Sequence, residues 1–360
     1  MTATSVPGAP ATMRAAVLHA VGDLRIDEVP VPEPGPGEVR IRVAVCGVCG
    51  SDATEFGRGL VLAQPPVTLG HEFSGTVDAL GEGVTGLELG ASVVSGAGIS
   101  CGECKPCLDG RTNLCRTYST IGFHHDGGLA GYVISPASIV LDASGTGLGL
   151  DALGLAQPMA IAVHTVRRSG LRAGQDAVIV GVGGIGAFIT VAAAATGARV
   201  LVVDLNQERL DIGIGLGATA GLLSGSQSLA EKLDELGFDP DVFFEVSGSA
   251  PGLASVLEVA PRGATIVPVG VQRADTALAL GQLTLNERQV VGTVAHVFRD
   301  DFPEAVRLLA SRPDWSDIAS EVVPLDQLVD EALQPLLEGR GTQIKTLIDP
   351  WATAARPAAY

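Results

Sequence analysis

The chain has 360 residues, a length that suggests about two domains. Apolar residues make up 46% and charged residues 18%, which indicates a globular protein and excludes an intrinsically disordered one. Acidic residues (40) outnumber basic residues (23), and the net charge of −17 argues against nucleic acid or an anionic membrane as the main partner. An anionic cofactor stays compatible with this charge, because a helix N-terminus binds anions locally.

The N-terminal part of the chain is predicted to be a β-rich domain. Residues 1–12 are uncharged and rich in Ala, Pro and Thr, and they are expected to form a disordered extension without the features of a secretory signal. A cysteine-rich lobe is inserted at residues 96–116. Proline and glycine separate the predicted strands, which are Ala15–Leu18, Leu24–Val29, Glu38–Val45, Val67–Leu80 and Ala91–Ser95.

After residue 152 strand and helix patterns alternate, as in a parallel, doubly wound sheet. The uncharged stretch Ala177–Ala198 is interpreted as a strand, a turn and a helix, and not as a membrane span. The predicted strands are Ala177–Val180, Val200–Asp204, Val242–Val246, Thr265–Val269 and Ile344–Ile348. The predicted helices are Leu153–Arg168, Ala187–Thr196, Glu208–Leu216, Asp301–Ser311 and Leu325–Gly339. The Ala-rich tail Trp351–Tyr360 is expected to be loose.

Four of the six cysteines form a close cluster with the pattern C-x2-C-x2-C-x7-C, namely Cys101, Cys104, Cys107 and Cys115. Four thiolates satisfy tetrahedral Zn²⁺ and leave no open position, so the pattern predicts a structural zinc site. An iron–sulfur cluster is the competing interpretation, although the seven-residue gap before the last cysteine differs from the usual cluster motif. A disulfide framework would need an oxidising compartment, and no secretory signal supports one.

A G-x-G-x-x-G motif lies between a predicted strand and an apolar helix, and it consists of Gly181, Val182, Gly183, Gly184, Ile185 and Gly186. In such a motif the glycines allow a tight turn, a close approach to a pyrophosphate and close helix packing. The next strand ends in Asp204, whose carboxylate can accept hydrogen bonds from the ribose hydroxyls of NAD and would repel the 2′-phosphate of NADP. The sequence therefore predicts NAD binding, and a purely structural turn is the alternative.

A second group of metal-ligand residue types lies in the N-terminal part, in Cys49-Gly50-Ser51-Asp52 and Gly70-His71-Glu72. Cys, His and Glu all bind Zn²⁺, and three protein ligands plus water form an open, catalytic site. Each motif alone also has a structural interpretation, as a buried thiol or as a surface His–Glu pair.

In this combination, order and spacing, the motifs resemble the zinc-containing medium-chain alcohol dehydrogenases over residues 13–349. The resemblance is greatest to the polyol branch of sorbitol, butanediol and threonine dehydrogenases. It implies an α/β protein with a GroES-like, β-rich catalytic domain over residues 13–155 and 299–360. A Rossmann NAD-binding domain with a doubly wound parallel sheet is expected over residues 156–298. A homodimer or homotetramer is also implied.

The resemblance assigns roles to individual residues. Cys49 and His71 would hold the catalytic zinc, and Glu72 would be a third ligand or a close neighbour of the metal. Asp52 would orient a ligand, and Ser51 would hydrogen-bond the substrate hydroxyl and pass on its proton. Further residues match the NAD contacts of the family: Ile185, Asp204, Arg209, Val269, Gly270, Val271, Val294 and His296. Two zinc ions per chain and NAD are the implied cofactors.

Two positions depart from the family pattern. Gln157 stands where most polyol-branch members have a Glu beside the zinc, and its amide oxygen can coordinate but carries no charge. Thr54 stands where the family often has a His that ends the proton relay, and a hydroxyl passes a proton without storing one near neutral pH. Cys46 is interpreted as a strand residue, with a metal contact as the alternative. Glu55 is expected to be solvated, and the alternative is that it faces the pocket and favours a hydroxylated or cationic substrate.

The sequence thus predicts an enzyme that transfers hydride between NAD and a secondary alcohol or polyol, such as a vicinal diol, a sugar alcohol or an amino alcohol. Two alternatives stay open: a biosynthetic NAD(P)H-dependent reductase of a carbonyl or iminium, and a non-catalytic zinc- and NAD-binding protein. The expected partner is a small alcohol or ketone, with no nucleic acid and no membrane. The expected location is the cytoplasm.

Overall fold

The computed structural model describes residues 4–6, 8–272, 275–341 and 343–360. The chain divides into two compact units. The first unit combines Met1–Ala160 with Val297–Tyr360, and the second is Ile161–His296.

The N-terminal segment is built from short strands with few helices. Its strands are β1 (Thr4–Ser5), β2 (Thr12–Ala20), β3 (Asp23–Pro30), β4 (Glu38–Val48), β5 (Val67–Thr68), β6 (Glu72–Leu80), β7 (Ser92–Ser95), β8 (Gly98–Ile99), β9 (Ser119–Thr120), β10 (Tyr132–Pro136) and β11 (Val140–Asp142). Its helices are α1 (Gly50–Gly57), α2 (Lys105–Leu108), α3 (Leu150–Leu153) and α4 (Ala156–Ser169), with 3₁₀ turns at Thr112–Leu114, Ala137–Ile139 and Ser144–Thr146. The single helix predicted over Leu153–Arg168 is therefore divided between α3 and α4.

The second unit alternates strand and helix. Its elements are β12 (Asp176–Val180), α5 (Gly186–Ala195), β13 (Arg199–Asp204), α6 (Gln207–Gly215), β14 (Ala220–Leu223), α7 (Leu229–Leu236), β15 (Val242–Glu245), α8 (Ala250–Val259), β16 (Thr265–Pro268), α9 (Leu280–Leu285) and β17 (Gln289–Val290). Within the described residues these strands form a six-stranded parallel sheet in the order β14-β13-β12-β15-β16-β17. All five residues of β12 are buried, as expected for a parallel strand that is covered on both faces.

The predicted alternation of strand and helix is confirmed, and Ala177–Ala198 is a strand, a turn and a helix as expected. In the described part of the chain, no helix is both long enough and apolar enough to span a bilayer.

The C-terminal segment completes the first unit. It contains α10 (Phe298–Leu309), β18 (Glu321–Pro324), α11 (Gln334–Glu338), β19 (Thr346–Asp349) and β20 (Arg356–Pro357). The helix predicted over Leu325–Gly339 is a 3₁₀ turn at Leu325–Gln327, a π-helical turn at Val329–Leu333 and the short α11. β19 pairs with β4 and β18, so that the C-terminal strands join the main sheet in the order β11-β7-β6-β4-β19-β18-β20. β1 and β10 also pair into this sheet, on β6 and β4 respectively.

The N-terminal extension differs from the expected disorder where it is described. Thr4–Ser5 pairs with Ala79 and Leu80 at the end of β6, and the backbone N–H of Val6 donates to the carbonyl of Asp78 at 2.8 Å. Residues 1–3 and Pro7 lie outside the described residues.

The expectation of a loose C-terminal tail is wrong. The indole N–H of Trp351 donates to the Val43 carbonyl at 2.8 Å, and the Arg42 guanidinium lies 4.2 Å from the centre of the Trp351 ring. Arg356 donates two hydrogen bonds to the buried carboxylate of Asp151, at 2.6 and 2.9 Å. Specific aromatic and ionic contacts therefore anchor a segment whose overall composition indicates a coil.

We expect Arg356→Met to lower the free energy of unfolding by about 1–2 kcal/mol, because the Asp151 carboxylate stays buried without its cation. The Arg356 side chain is 37% exposed, and the expected loss is therefore smaller than that for a fully buried pair. Chemical denaturation measures the difference. Arg307→Met is the control, since its ion pair with Glu304 is exposed, and an equal effect of both variants would contradict the anchored tail.

Candidate metal and cofactor sites

Cys49, His71 and Glu72 converge at one point of the first unit. One ligand atom from each of them, the Sγ, a ring nitrogen and a carboxylate oxygen, all lie within 4.8 Å of one another. His71 and Glu72 are buried, and Cys49 is half-buried. Sulfur, nitrogen and oxygen donors in this arrangement fit a Zn²⁺ ion that keeps one position open.

Sheet register brings these three residues together. β4 and β6 are antiparallel, and their pairing sets Gly47 opposite Glu72 and Cys46 opposite Phe73. Cys49 follows the end of β4, and His71 immediately precedes β6, so both lie at the same end of the strand pair. Cys46 lies inside β4 with its thiol buried, as its interpretation as a strand residue implied.

Asp52 connects two of the three candidate ligands. Its Oδ2 accepts a hydrogen bond from the Cys49 backbone N–H at 2.8 Å, and its Oδ1 lies 3.3 Å from His71 Nδ1. Burial by itself lowers the pKa of His71, but the neighbouring Asp52 carboxylate, with Cys49, raises this pKa well above its ordinary value. Asp52 thus fixes the orientation of the imidazole, as carboxylates behind metal-bound histidines do.

Gln157 lies in the first turn of α4 and its side chain is buried. Among the described residues its Oε1 atom has no hydrogen-bond partner. A buried acceptor without a partner is costly, and a metal ion or a bound donor would satisfy it.

Thr54 and Glu55 both lie on α1, but their side chains have different surroundings. The Thr54 hydroxyl donates to the Gly50 carbonyl one turn earlier, at 2.9 Å. Glu55 is buried, so the expectation that it is solvated is wrong. Its carboxylate accepts the backbone N–H groups of Val61, Leu62 and Ala63 at 2.8–3.1 Å, which anchors the loop after α1.

Two neighbours of the triad carry no sequence motif. The Phe123 ring lies 5.0 Å from the His71 ring, and the buried Lys345 forms an ion pair with Glu72. The only signal for Lys345 is a charged residue within the otherwise uncharged stretch Ile344–Ile348.

The four cysteines of the lobe also converge, with their sulfur atoms within 4.8 Å of one another. The Sγ atom of Cys115 is 3.5 Å from that of Cys101, and the Sγ atoms of Cys104 and Cys107 are 3.5 Å apart. The backbone N–H of Cys101 donates to the Cys115 sulfur at 3.3 Å and lowers the pKa of that thiol to about 6. Four convergent sulfur atoms fit a closed tetrahedral zinc site.

The glycine motif forms the turn between β12 and α5. Gly181 has φ of 101°, a conformation that side chains rarely adopt, and its N–H donates to the Val203 carbonyl at 2.8 Å. At Gly186 a Cβ atom would lie only 1.8 Å from the Gly181 carbonyl oxygen. Both positions therefore require glycine, and the turn leaves Gly183, Gly184 and Ile185 only half-buried at the start of α5.

Asp204 is the last residue of β13 and supports the glycine turn. Its Oδ2 accepts the Val182 N–H at 2.7 Å, and its Oδ1 accepts the Asn206 N–H at 3.0 Å. Each carboxylate oxygen has a second lone pair, which leaves acceptor capacity for ribose hydroxyls. A Cβ atom on Gly183 would lie 4.0 Å from Arg209 Nη1, so this guanidinium lies close to the turn.

A cavity of about 540 Å³ lies beside the ends of β15 and β16, and its lining residues are Val246, Ser247, Gly248, Ser249, Gly270 and Val271. The buried Glu245 organises this region and was not predicted from the sequence. Its backbone carbonyl accepts the N–H groups of Val269 and Gly270, and its carboxylate accepts the side-chain amide of Gln272 at 2.9 Å. Of the remaining predicted contacts, Val294 is exposed and His296 is buried.

Comparison with known proteins supports the same grouping of motifs. Residues 35–145 match the alcohol dehydrogenase GroES-like domain, and residues 184–311 match the zinc-binding dehydrogenase domain. A zinc-type alcohol dehydrogenase-like protein of Haemophilus influenzae is 31% identical over 320 residues, which cover 88% of this chain and 93% of that protein.

Two solved structures are similar over almost their whole length. The 2R,3R-butanediol dehydrogenase of Bacillus subtilis has a TM-score of 0.85 at 29% identity, covering 94% of this chain and 99% of its own. A Sinorhizobium meliloti protein described as a zinc-binding dehydrogenase, solved with NADP bound, has a TM-score of 0.86 at 30% identity and covers 95% of this chain and 100% of its own.

A GroES-like unit with two groups of residues that could hold a metal ion, next in sequence to a Rossmann unit with a glycine turn, defines a zinc-containing oxidoreductase. The chain belongs to the zinc-containing medium-chain alcohol dehydrogenase family. It is thus a zinc-dependent alcohol or polyol dehydrogenase that uses a nicotinamide cofactor.

We expect the zinc affinity of the Cys49–His71–Glu72 site to rise with pH more steeply in the wild type than in Asp52→Asn. Asp52 raises the pKa of His71, so the imidazole of the metal-free protein keeps its proton up to a higher pH. Zinc must displace this proton below the raised pKa, and above it His71 adds no further pH dependence.

Competition titrations with a chelator between about pH 6 and pH 8 measure this slope. The protein used carries zinc in the four-cysteine lobe beforehand, so that only the second site is titrated. Equal slopes for the wild type and Asp52→Asn would contradict the proposed coupling between Asp52 and His71, whatever the absolute affinities are.

Proposed function

We propose that this enzyme oxidises a secondary alcohol or polyol with NAD, with a vicinal diol, a sugar alcohol or an amino alcohol as its substrate class. The observation that carries the proposal is the buried convergence of Cys49, His71 and Glu72 within 4.8 Å. The similarity to the butanediol dehydrogenase of Bacillus subtilis supports a diol among these substrates.

Cys49 and His71 would hold the catalytic zinc, with Glu72 as a third ligand or close neighbour. The partnerless Oε1 of Gln157 is the proposed neutral donor from α4. When bound, zinc supplies Lewis-acid chemistry that lowers the pKa of a substrate hydroxyl, and NAD accepts the hydride. The four cysteines of the lobe would hold a second, structural zinc ion.

The proton of the substrate hydroxyl has a proposed path along α1. Ser51 lies in the first turn of this helix, two residues after Cys49, and would accept the proton at its Oγ. Thr54 is three residues further on, which places it on the same face of the helix as Ser51. The Thr54 hydroxyl hydrogen is donated to the Gly50 carbonyl, so Thr54 would receive the proton at an oxygen lone pair and release its own hydroxyl proton to water by turning away from this carbonyl.

NAD would bind in the second unit. The backbone N–H groups at the start of α5 face the glycine turn, and they would hold the pyrophosphate with the help of Arg209. Asp204 would accept hydrogen bonds from the ribose hydroxyls. The edges of the remaining cofactor site are proposed to be formed by Ile185, Val269, Gly270, Val271, Val294 and His296.

We further propose a homodimer or homotetramer located in the cytoplasm. β17 is the last strand of the parallel sheet, and large apolar side chains near this edge are exposed, namely Leu280, Leu285, Val290 and Val294. An unpaired edge with exposed apolar residues favours association with another chain. None of the six cysteines forms a disulfide, which supports a reducing compartment.

The proposal is tested by measuring NAD reduction over a panel of vicinal diols, sugar alcohols, amino alcohols and simple secondary alcohols, with metal analysis of the same sample. We expect turnover with at least one diol or polyol and two zinc ions per chain. Two zinc ions without oxidation of any alcohol would favour a biosynthetic reductase, to be assayed with NADH and carbonyl compounds. One zinc ion per chain would contradict the catalytic metal site.

We expect Asp204→Ala to raise KM for NAD by about tenfold and to reduce the preference for NAD over NADP. The variant loses a charged acceptor for the ribose hydroxyls and the negative charge that repels a 2′-phosphate. Steady-state kinetics with both cofactors measure the ratio of kcat/KM values. Asp211→Ala, on the neighbouring helix α6, is the matched control, and an unchanged cofactor ratio in Asp204→Ala would contradict the assignment.

A further inference from the structure

A buried lysine lies next to the candidate metal site and has no part in the function proposed above. Lys345 is only 4% exposed and immediately precedes β19. Its Nζ lies 2.7 Å from Oε2 and 3.0 Å from Oε1 of Glu72, and it also donates to the Val48 carbonyl at 3.3 Å. Both oxygens of a candidate metal ligand are therefore within reach of one ammonium group.

The Glu72 carboxylate has little freedom to move away from Lys345. Glu72 itself is 2% exposed, and a Cβ atom on the facing Gly47 would lie only 2.6 Å from its Oε2. Pairing of Thr346 with Val48 fixes the backbone next to Lys345 against the end of β4. Sheet pairing and close packing thus hold both partners of the ion pair in place.

The charges around the candidate metal site determine how the ion pair between Lys345 and Glu72 affects metal binding. The Glu72 and Asp52 carboxylates place negative charge around one small volume, and Lys345 is a cation that contacts a carboxylate there. An ammonium group and a zinc ion both draw on the electron pairs of the same two oxygens. A carboxylate shared with an ammonium group is a weaker ligand, and a less anionic ligand set leaves zinc a stronger Lewis acid.

We propose that Lys345 is a positioning residue that restrains Glu72 and so limits the bond this carboxylate makes to the catalytic metal. The restraint keeps the metal exchangeable and electrophilic. The inference rests on the proposed metal site at Cys49, His71 and Glu72. The inference predicts the direction in which the rate of zinc release changes. Loss of a purely structural lysine would make zinc release faster, whereas loss of Lys345 should make it slower.

The test measures zinc transfer from the wild type and from Lys345→Met to a coloured chelator. We expect zinc to leave the catalytic site about tenfold more slowly in the variant, since Glu72 is then free to bind the metal. Zinc release from the two sites is separated into kinetic phases, and the phase of the catalytic site is the one that is missing in Cys49→Ala. Cobalt(II) substituted at the site should show an altered visible spectrum in Lys345→Met, because its ligand set has changed.

Three further variants and one control isolate the mechanism. Lys345→Arg keeps the charge and should release zinc at close to the wild-type rate. Glu72→Gln and the double variant Glu72→Gln/Lys345→Met should release zinc at equal rates, because Lys345 acts through Glu72. The double variant buries no unpaired charge, so this comparison remains available if Lys345→Met folds poorly. Lys232→Met removes a lysine from an ion pair with Glu235 on the surface helix α7 and is the control for loss of a cation.

Unchanged or faster zinc release in Lys345→Met, or different rates for Glu72→Gln and the double variant, would overturn the inference. A wild-type protein that binds one zinc ion only, in the four-cysteine lobe, would instead overturn the proposed function. A wild type with two zinc ions and no effect of Lys345→Met would leave the proposed function standing and reject the role of Lys345.

Discussion

The antiparallel pairing of β4 with β6 is the constraint on which the candidate metal site depends. It places the end of one strand, which leads to Cys49, beside the start of the other, where His71 and Glu72 lie. The pairing of β19 with β4 then brings Lys345 to the same place from a part of the chain 273 residues away from Glu72. A shift of either register by one residue would turn these side chains to the opposite face of the sheet and disperse the site.

Contiguous patterns made part of the site predictable. The four-cysteine lobe, the glycine turn and the pair His71-Glu72 are each formed by residues of one short segment. The spacing of these residues in the sequence does not depend on how the rest of the chain folds. Long-range partners were not predictable in this way. The partner of Glu72 is Lys345 and that of Asp151 is Arg356, and neither pair has a sequence spacing that identifies it. Glu55 was misjudged for the same reason, because only the folded loop brings three backbone N–H groups to its carboxylate.

The acidic composition also has limited consequences for cofactor binding. A net charge of −17 disfavours extended polyanions, but a single pyrophosphate responds to the field within a few ångströms. In the second unit that local field would come from the N–H groups at the start of α5 and from Arg209 beside Gly183. The Asp204 carboxylate is directed at the turn by hydrogen bonds from Val182 and Asn206, so that its negative charge is located where ribose hydroxyls and not phosphates are expected.

The two groups of candidate metal-binding residues in the first unit differ in a way that matches the two roles proposed for them. Four sulfur atoms surround the lobe site, and backbone N–H donation lowers the pKa of the Cys115 thiol. A metal there would be held strongly and would have no open position. The other group offers one sulfur, one imidazole held by Asp52, and one carboxylate already engaged by Lys345. Weaker donation leaves more positive charge on a metal for a substrate oxygen. The proposed effect of the ion pair between Glu72 and Lys345 is thus a lower affinity for the metal and a higher Lewis acidity of the bound metal. The closed cysteine site has no open position for a substrate, so a lower metal affinity would serve no purpose there.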